Sequence, residues 1–349
     1  MWGRCPILGN LFLEEELFLS HSTTKTYEAM KNRGLIAVLI PCYNEAPSIG
    51  SVVSDFQQAL PLAQIFVYDN NSTDGTSQIA RAAGATVREE HQQGKGHVVR
   101  RMFRDIDADL YVLVDGDNTY DAHIAPRMLE IATSGPYDLV NCVRREEGFT
   151  SYRPGHRFGN ALLTTIVRWM FGDGVRDMLS GYKVLSRRFV KSFPALADGF
   201  DIETEIAVHA LGLAMPITHV EGSYRGRPPG SQSKLRTYRD GFRILWLISV
   251  LAKHERPMLF FSVFGVILAS LSLVLGLPVV FHYLTTGRVP RFPTAILAMG
   301  IMLLAFLSLT TGIILDTVTR GRREAKMLIY LQQSSPSALG EHLSQTGEA

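Results

Sequence analysis

Two patterns of apolar residues divide the chain. From Leu35 to about residue 142, short apolar runs alternate with stretches whose apolar positions recur every three or four residues. The runs predict strands near 35–40, 64–68, 110–114 and 138–142. The 3.6-periodic stretches predict helices near 46–59, 74–83, 95–104 and 122–132. LIAVLI at 35–40 is continuously apolar, as a strand covered on both faces must be. Strand and helix in alternation predict an α/β domain, a mainly parallel sheet with helices on both sides.

The second pattern is continuous. Leu259 to Phe281 and Phe292 to Leu315 contain no ionisable side chain. At about 1.5 Å rise per residue, each is long enough as a helix to cross a hydrocarbon core of roughly 30 Å. A transmembrane helical hairpin is expected. Lys253 and Arg256 precede it, and Arg320, Arg322, Arg323 and Lys326 follow, against Arg288 and Arg291 in the connecting loop. The basic excess places both ends, and the N-terminal domain, on the cytoplasmic side. Tyr238 to Lys253 mixes Arg, Tyr and Trp with apolar residues, as an interfacial helix does.

The expected organisation is a 1–34 extension, an α/β domain at 35–235, a juxtamembrane helix at 236–257, and membrane helices at 258–318 (259–281 and 292–315). A polar tail follows at 319–349. Met30, just before the first strand, is a candidate start, which would make residues 1–29 dispensable. The stretch Ile7 to Leu13 is too short and too poorly flanked for a signal peptide.

Composition narrows the chemistry. Lys and Arg number 35 against 33 Asp and Glu, a net charge of +2, so no strong field points to nucleic acid. Charged residues are only 19%, the deficit lying in the two apolar runs. Cys5, Cys42 and Cys142 are widely spaced without C-x-x-C, which excludes a disulfide framework and a thiolate zinc site.

In open parallel sheets ligands bind beyond the carboxyl ends of the strands. The first strand ends in Pro41-Cys42-Tyr43-Asn44-Glu45. The second ends at Asp69, followed by NNSTDGT. Asp69 reads either as a turn residue or as an acceptor for a base or ribose, and Asp74 as an N-cap. LYVLV ends in Asp115-Gly116-Asp117. Carboxylates at i and i+2 of an extended chain project to one side, and two hard oxygen ligands there suit Mg²⁺ or Mn²⁺ shared with a diphosphate. Gly116 would keep a side chain clear of the ligand. Gly94-Lys95-Gly96 opens a helix and either serves an anionic group or is an ordinary turn. The stretch Gly159 to Gly172, with Arg157, Arg168 and Trp169, either lines a lipid's approach or packs internally.

PCYNE, VYDNNSTDGT, GKG and VDGDNTYD, continued by DMLSGYKVLSRR (177–188), FDIETEI (200–206) and GSQSKL (230–235), resemble a family 2 glycosyltransferase of the GT-A (Rossmann-like) fold. The resemblance covers roughly residues 35–240. It is to the polyprenyl-phosphate sugar transferases, the group that includes dolichyl-phosphate mannose synthase. It implies that Pro41, Tyr43, Asn44, Glu45 and Asp69 line a nucleotide pocket, with Lys95 nearby. Asp115 would contact the nucleotide-sugar and Asp117 would bind the metal. Thr119 stands where the family often places a further ligand, with Asp121 as the substitute. Arg144 and Lys234, with Arg225 or Arg227, would hold phosphates. Asp177 matches the residue often assigned as base, and Glu203 and Glu205 are candidates beside it at the acceptor site.

The implied reaction moves a sugar from a nucleotide-diphosphate sugar to a polyprenyl phosphate, undecaprenyl phosphate being the expected carrier, at the cytoplasmic face of a bacterial inner membrane. Mg²⁺ or Mn²⁺ is the implied cofactor, the lipid bilayer a partner, and a homo-oligomer is open. The acceptor phosphate, with a second pKa near 6, is mostly dianionic and needs little help from a base. Asp177 therefore reads better as a positioning residue. A processive polysaccharide synthase, a silent nucleotide-sugar binding module and a nucleotidyltransferase are the rival readings. Arg168-Trp169 lacks the preceding glutamine of the first, and Asp115, Asp117, Arg144 and Lys234 together argue against the second.

Overall fold

The computed structural model of the chain describes residues 35–146, 176–199, 201–225 and 252–336, with residues 165, 174, 246, 249 and 250. The 1–34 extension, the 159–172 stretch with Arg157, most of the juxtamembrane helix, Arg227, Lys234 and the tail from 337 lie outside the described residues, apart from Thr165.

In chain order the elements are β1 (Ile36–Cys42), α1 (Ala46–Ala59), β2 (Gln64–Asp69), α2 (Thr76–Ala82), β3 (Thr86–Glu89), α3 (Lys95–Asp105) and β4 (Leu110–Leu113). A 3₁₀ turn at Ala122–Ile124 leads into α4 (Ala125–Ser134) and β5 (Leu139–Glu146). Then come β6 (Lys183–Ser186), α5 (Arg187–Ser192), α6 (Ile202–Gly212) and β7 (Ile217–Tyr224). Two long helices close the described chain, α7 (Pro257–Thr286) and α8 (Phe292–Leu331).

The seven strands form one sheet in the order β3-β2-β1-β4-β6-β5-β7. It is mostly parallel; β6 alone runs against its neighbours β4 and β5. Alternate residues feed two cores. Val38, Ile40 and Val112 face Ile49, Val53 and Phe56 of α1 and Met128 of α4. Leu39, Tyr111 and Leu185 face Val99 and Met102 of α3, Phe189 of α5 and Ile206 of α6. With both faces covered, the polar residues of the central strands collect at the strand ends.

The chain divides into two compact units. One runs to Leu235 and includes the stretch from Met327; the other is Arg236–Lys326. In the first, Tyr330 donates its hydroxyl hydrogen bond to Asp138 (2.7 Å) beneath the Arg188 guanidinium, 4.7 Å from the ring centre. In the second, Ser272 donates to the Ala298 carbonyl (2.7 Å) and Ser308 to that of Phe261 (2.9 Å). Helices α7 and α8 have apolar windows of mean hydropathy 2.5 and 2.2, only 11% and 22% buried. Helix α8 continues past the predicted Leu315 to Leu331, because its charged residues end the apolar run without ending the helix. Asp316 and Arg320, one turn apart, pair at 3.0 Å.

Candidate active site

The loops after β1 and β2 are laced together by polar side chains. Asn44, at φ 53°, receives at its Oδ1 the Thr73 amide (2.9 Å) and gives its own amide to Ser72 Oγ (2.8 Å). The Glu45 amide donates to Thr76 Oγ1 (2.9 Å), and Asp74 accepts from the first amides of both α1 and α2, those of Ala46 (3.0 Å) and Thr76 (3.1 Å). Burial opposes its charge, but these bonds and that of the Thr76 hydroxyl hold the Asp74 carboxyl below its ordinary range. Asp69 is buried and accepts from the Ser72 amide (3.0 Å) and Ser77 Oγ (2.5 Å), so it anchors its own turn. Pro41 is half-buried, Glu45 buried and Tyr43 exposed.

At the end of β4, Asp115 and Asp117 have different surroundings. Lys95, at the start of α3, donates to Asp115 Oδ1 (2.5 Å) and to Glu203 Oε1 of α6 (2.6 Å). The pull of two carboxylates outweighs the burial that opposes a lysine's charge, and its pKa is raised. In this structure, therefore, the lysine joins two carboxylates beside the sheet. The amide of Gly96 at the same helix start bonds the Asp198 carbonyl (3.2 Å), so a neighbouring loop covers part of that N-terminus. Glu205, one turn along α6, accepts the amides of Leu196 (3.1 Å) and Ala197 (2.8 Å) in that loop. Packing alone already requires a glycine at Gly116, where a Cβ would meet Cys42 Sγ at 2.6 Å.

Asp117 is buried and accepts from the Thr119 hydroxyl (2.6 Å). Asp121 accepts the His123 amide (3.0 Å) and caps the 3₁₀ turn. Among the described residues no group of three or more His, Cys, Asp or Glu comes together. Two carboxylates at one strand end, with hard oxygens and no full cage, still fit Mg²⁺ or Mn²⁺, which take few protein carboxylates and complete their shells from phosphate oxygens and water.

Arg144 on β5 makes a bidentate pair with Asp177, Nε to Oδ2 at 2.8 Å and Nη2 to Oδ1 at 2.9 Å. Its guanidinium lies 5.4 Å from the centre of the Tyr224 ring. Burial would raise Asp177, but the hydrogen bonds and charge of Arg144, with the charge of Lys183, hold it below the ordinary carboxylate range. A carboxylate so stabilised is a weak base. Tyr120 stacks edge-on against Tyr182 (5.6 Å) and Tyr224 (5.3 Å), and the Arg225 amide bonds the Thr119 carbonyl (2.9 Å). The Asp117 loop and the end of β7 are thereby joined.

Sequence reading missed Lys183, Asn141, Tyr120 and Tyr224. The signal for Lys183 was present: a lysine opening the apolar strand KVLS, inside a quoted motif. Lys183 is 1% exposed and donates to the Ser180 carbonyl.

A sequence profile described as Glycosyl transferase family 2 matches residues 37–193. Glycosyltransferase AglJ of Haloferax volcanii is 34% identical over 295 residues, which are 83% of this chain and 95% of AglJ. The chain belongs to glycosyltransferase family 2. This family 2 glycosyltransferase is also similar to a dolichyl-phosphate hexose transferase of the same organism, 27% identical over 63% of this chain and 95% of that one. Among solved structures it resembles glucosyl-3-phosphoglycerate synthase from Mycobacterium tuberculosis in complex with Mn²⁺, uridine-diphosphate and glucosyl-3-phosphoglycerate. The TM-score is 0.53 at 25% identity, covering 65% of this chain and 82% of that chain. The family 2 glycosyltransferase described here has the GT-A fold, with its acidic and basic side chains gathered at the ends of β1, β2, β4 and β5.

Proposed function

We propose that this glycosyltransferase transfers a sugar from a nucleotide-diphosphate sugar to a polyprenyl phosphate, undecaprenyl phosphate in a bacterium, at the cytoplasmic face of the inner membrane. The product would be a lipid-linked sugar for cell-envelope glycans. The observation that carries the reading is the Arg144–Asp177 pair. A guanidinium held bidentate, on a strand near β4, gives a second anion a place beside the acidic strand end. The dolichyl-phosphate hexose transferase relative and the two membrane-length helices support a lipid acceptor.

Two mutually repelling phosphorylated substrates must meet at one sugar carbon. Arg144, with Lys234 and Arg225 or Arg227, supplies positive charge for the acceptor phosphate and the leaving diphosphate. Glu45, Asp69 and the loops laced to them form the nucleotide side, with Pro41, Tyr43 and Asn44 at its mouth. Asp115, held by Lys95, faces the donor sugar. Mg²⁺ or Mn²⁺, held by Asp117 with Asp115, Thr119 or Asp121, would act as Lewis acid toward the diphosphate. The acceptor is already anionic, and Asp177, its carboxyl depressed, positions Arg144 and takes no proton. A single in-line displacement inverts the sugar carbon.

Membranes from an overexpressing strain, incubated with labelled nucleotide-sugars, polyprenyl phosphate and Mn²⁺, test this. Label is expected in the lipid extract with one donor. Label confined to a water-soluble polymer or to free sugar would refute it.

A further inference from the structure

The segment Asp177–Gly181 joins the two halves of the site. Its first residue holds Arg144. Its last, Gly181, lies so close to Asp115 that a Cβ there would strike the carboxylate. From the sheet below, two side chains grip this segment's backbone. Asn141 Nδ2 donates to the Asp177 carbonyl (2.8 Å). The Lys183 ammonium donates to the Ser180 carbonyl. Asn141 and Lys183 are cross-strand partners on β5 and β6. Tyr120 completes the hold by accepting the Gly181 amide (2.7 Å).

Both residues are costly where they sit. Asn141 is wholly buried, and its Oδ1 has no hydrogen-bond partner among the described residues. A buried amide with an orphan acceptor needs a reason to persist. Lys183 is a buried cation within electrostatic reach of Glu203, Asp177, Lys95 and Asp115. With Arg144, this partly buried cluster sets three cations against three carboxylates. A hydrophobic pair would pack this sheet position more cheaply.

We propose that Asn141 and Lys183 are positioning residues: they set the height and register of the Asp177–Gly181 segment, and so the relative placement of Arg144 and Asp115. The two act on different ends. Asn141 controls Asp177 and hence the acceptor's arginine. Lys183 controls Ser180 and Gly181 and hence the donor's aspartate. This rests on the function proposed above, and the test separates the two.

The experiment uses full-length protein in detergent, with Asn141→Leu, Lys183→Met and Lys183→Arg beside wild type. Amide hydrogen exchange across 177–183 needs no substrate. Exchange there is expected to quicken at least tenfold in Asn141→Leu and Lys183→Met, while β1 amides keep their wild-type rates. Kinetics with nucleotide-sugar and polyprenyl phosphate are expected to split. Asn141→Leu should raise KM for the lipid phosphate about tenfold with little change for the donor. Lys183→Met should lower kcat at least tenfold, and Lys183→Arg should recover most of it. Wild-type rates of exchange in both variants overturn the positioning role whatever the reaction proves to be. So does quickening shared equally by β1, or a loss of kcat and KM identical in the two variants. An inert wild type with quickened local exchange would refute the function and leave the positioning intact.

Discussion

Asp117, after β4, and Asp177, before β6, are both buried carboxylates, yet their partners assign them different work. Asp117 accepts from a neutral hydroxyl, and Asp177 from a guanidinium. Because the folded Asp177 carboxyl is depressed, its stabilisation is in place above the ordinary carboxylate pKa and is lost only as pH falls through the folded value. It titrates well below neutrality, so kcat should show no inflection from it between pH 6 and 8. Asp177→Asn keeps the shape and one acceptor, and should cost at least ten times less in kcat than Asp117→Asn. Equal losses in steady-state assays would mean proton abstraction. Lys183 has the same sign in a more alkaline window. Burial pushes it down to about 8 from 10.5, against the pull of Glu203 and Asp177. Between those values the unfolded chain binds more protons, so this group adds stability as pH rises. The difference in Tm between wild type and Lys183→Met should therefore move in favour of wild type from pH 7 to pH 10; a constant difference would contradict the assignment. A lysine opening KVLS marked Lys183, but the roles of Lys183 and Asn141 were not legible beforehand, because what makes a buried polar residue tolerable is the set of charges that the fold brings to it.

Among the elements, β1, α1, β2, α3 and β4 were readable within a residue or two, since each carries an unbroken apolar run or a clear 3.6 period. The strands β3, β6 and β7 were not. TVRE is a short edge strand, KVLS opens with a lysine, and ITHVEGSY mixes polar residues on both faces. The two glutamates of α6 read together from the sequence as acceptor candidates. The structure separates them: Glu203 pairs with Lys95, and Glu205 holds the 195–198 loop, whose carbonyls at Ala195, Leu196 and Ala197 also accept from Arg100. Glu205→Ala should lower stability by about 1–3 kcal/mol through two unmade backbone bonds. Thermal unfolding checks that, and KM for polyprenyl phosphate should stay at its wild-type value. A tenfold rise in that KM would instead place Glu205 at the acceptor. Lys95→Met leaves Asp115 and Glu203 facing each other without their cation, and should cost about 3–5 kcal/mol by the same measurement.

At the scale of the molecule, the chain joins a sheet with both faces covered to helices whose apolar side chains stay exposed. In water such surface promotes association; in a bilayer it is ordinary lipid contact. Val266, exposed near the middle of α7, discriminates: Val266→Arg should reduce membrane insertion by about 2.5–3.5 kcal/mol on the scale for charged residues at a helix centre. Leu196→Arg, on the equally exposed loop of the sheet unit, should leave insertion unchanged. Fractionation of the two variants reads the difference, and equal recovery in membranes would contradict a spanning α7. The claim on which all scales converge is that the acidic end of β4 drives sugar transfer to a lipid phosphate. The direct measurement is label from nucleotide-sugar recovered in organic-phase lipid, with purified wild type, wild type plus a chelator of divalent cations, and Asp117→Ala. The account predicts labelled lipid from the first alone; undiminished lipid labelling under chelation or by Asp117→Ala would contradict it.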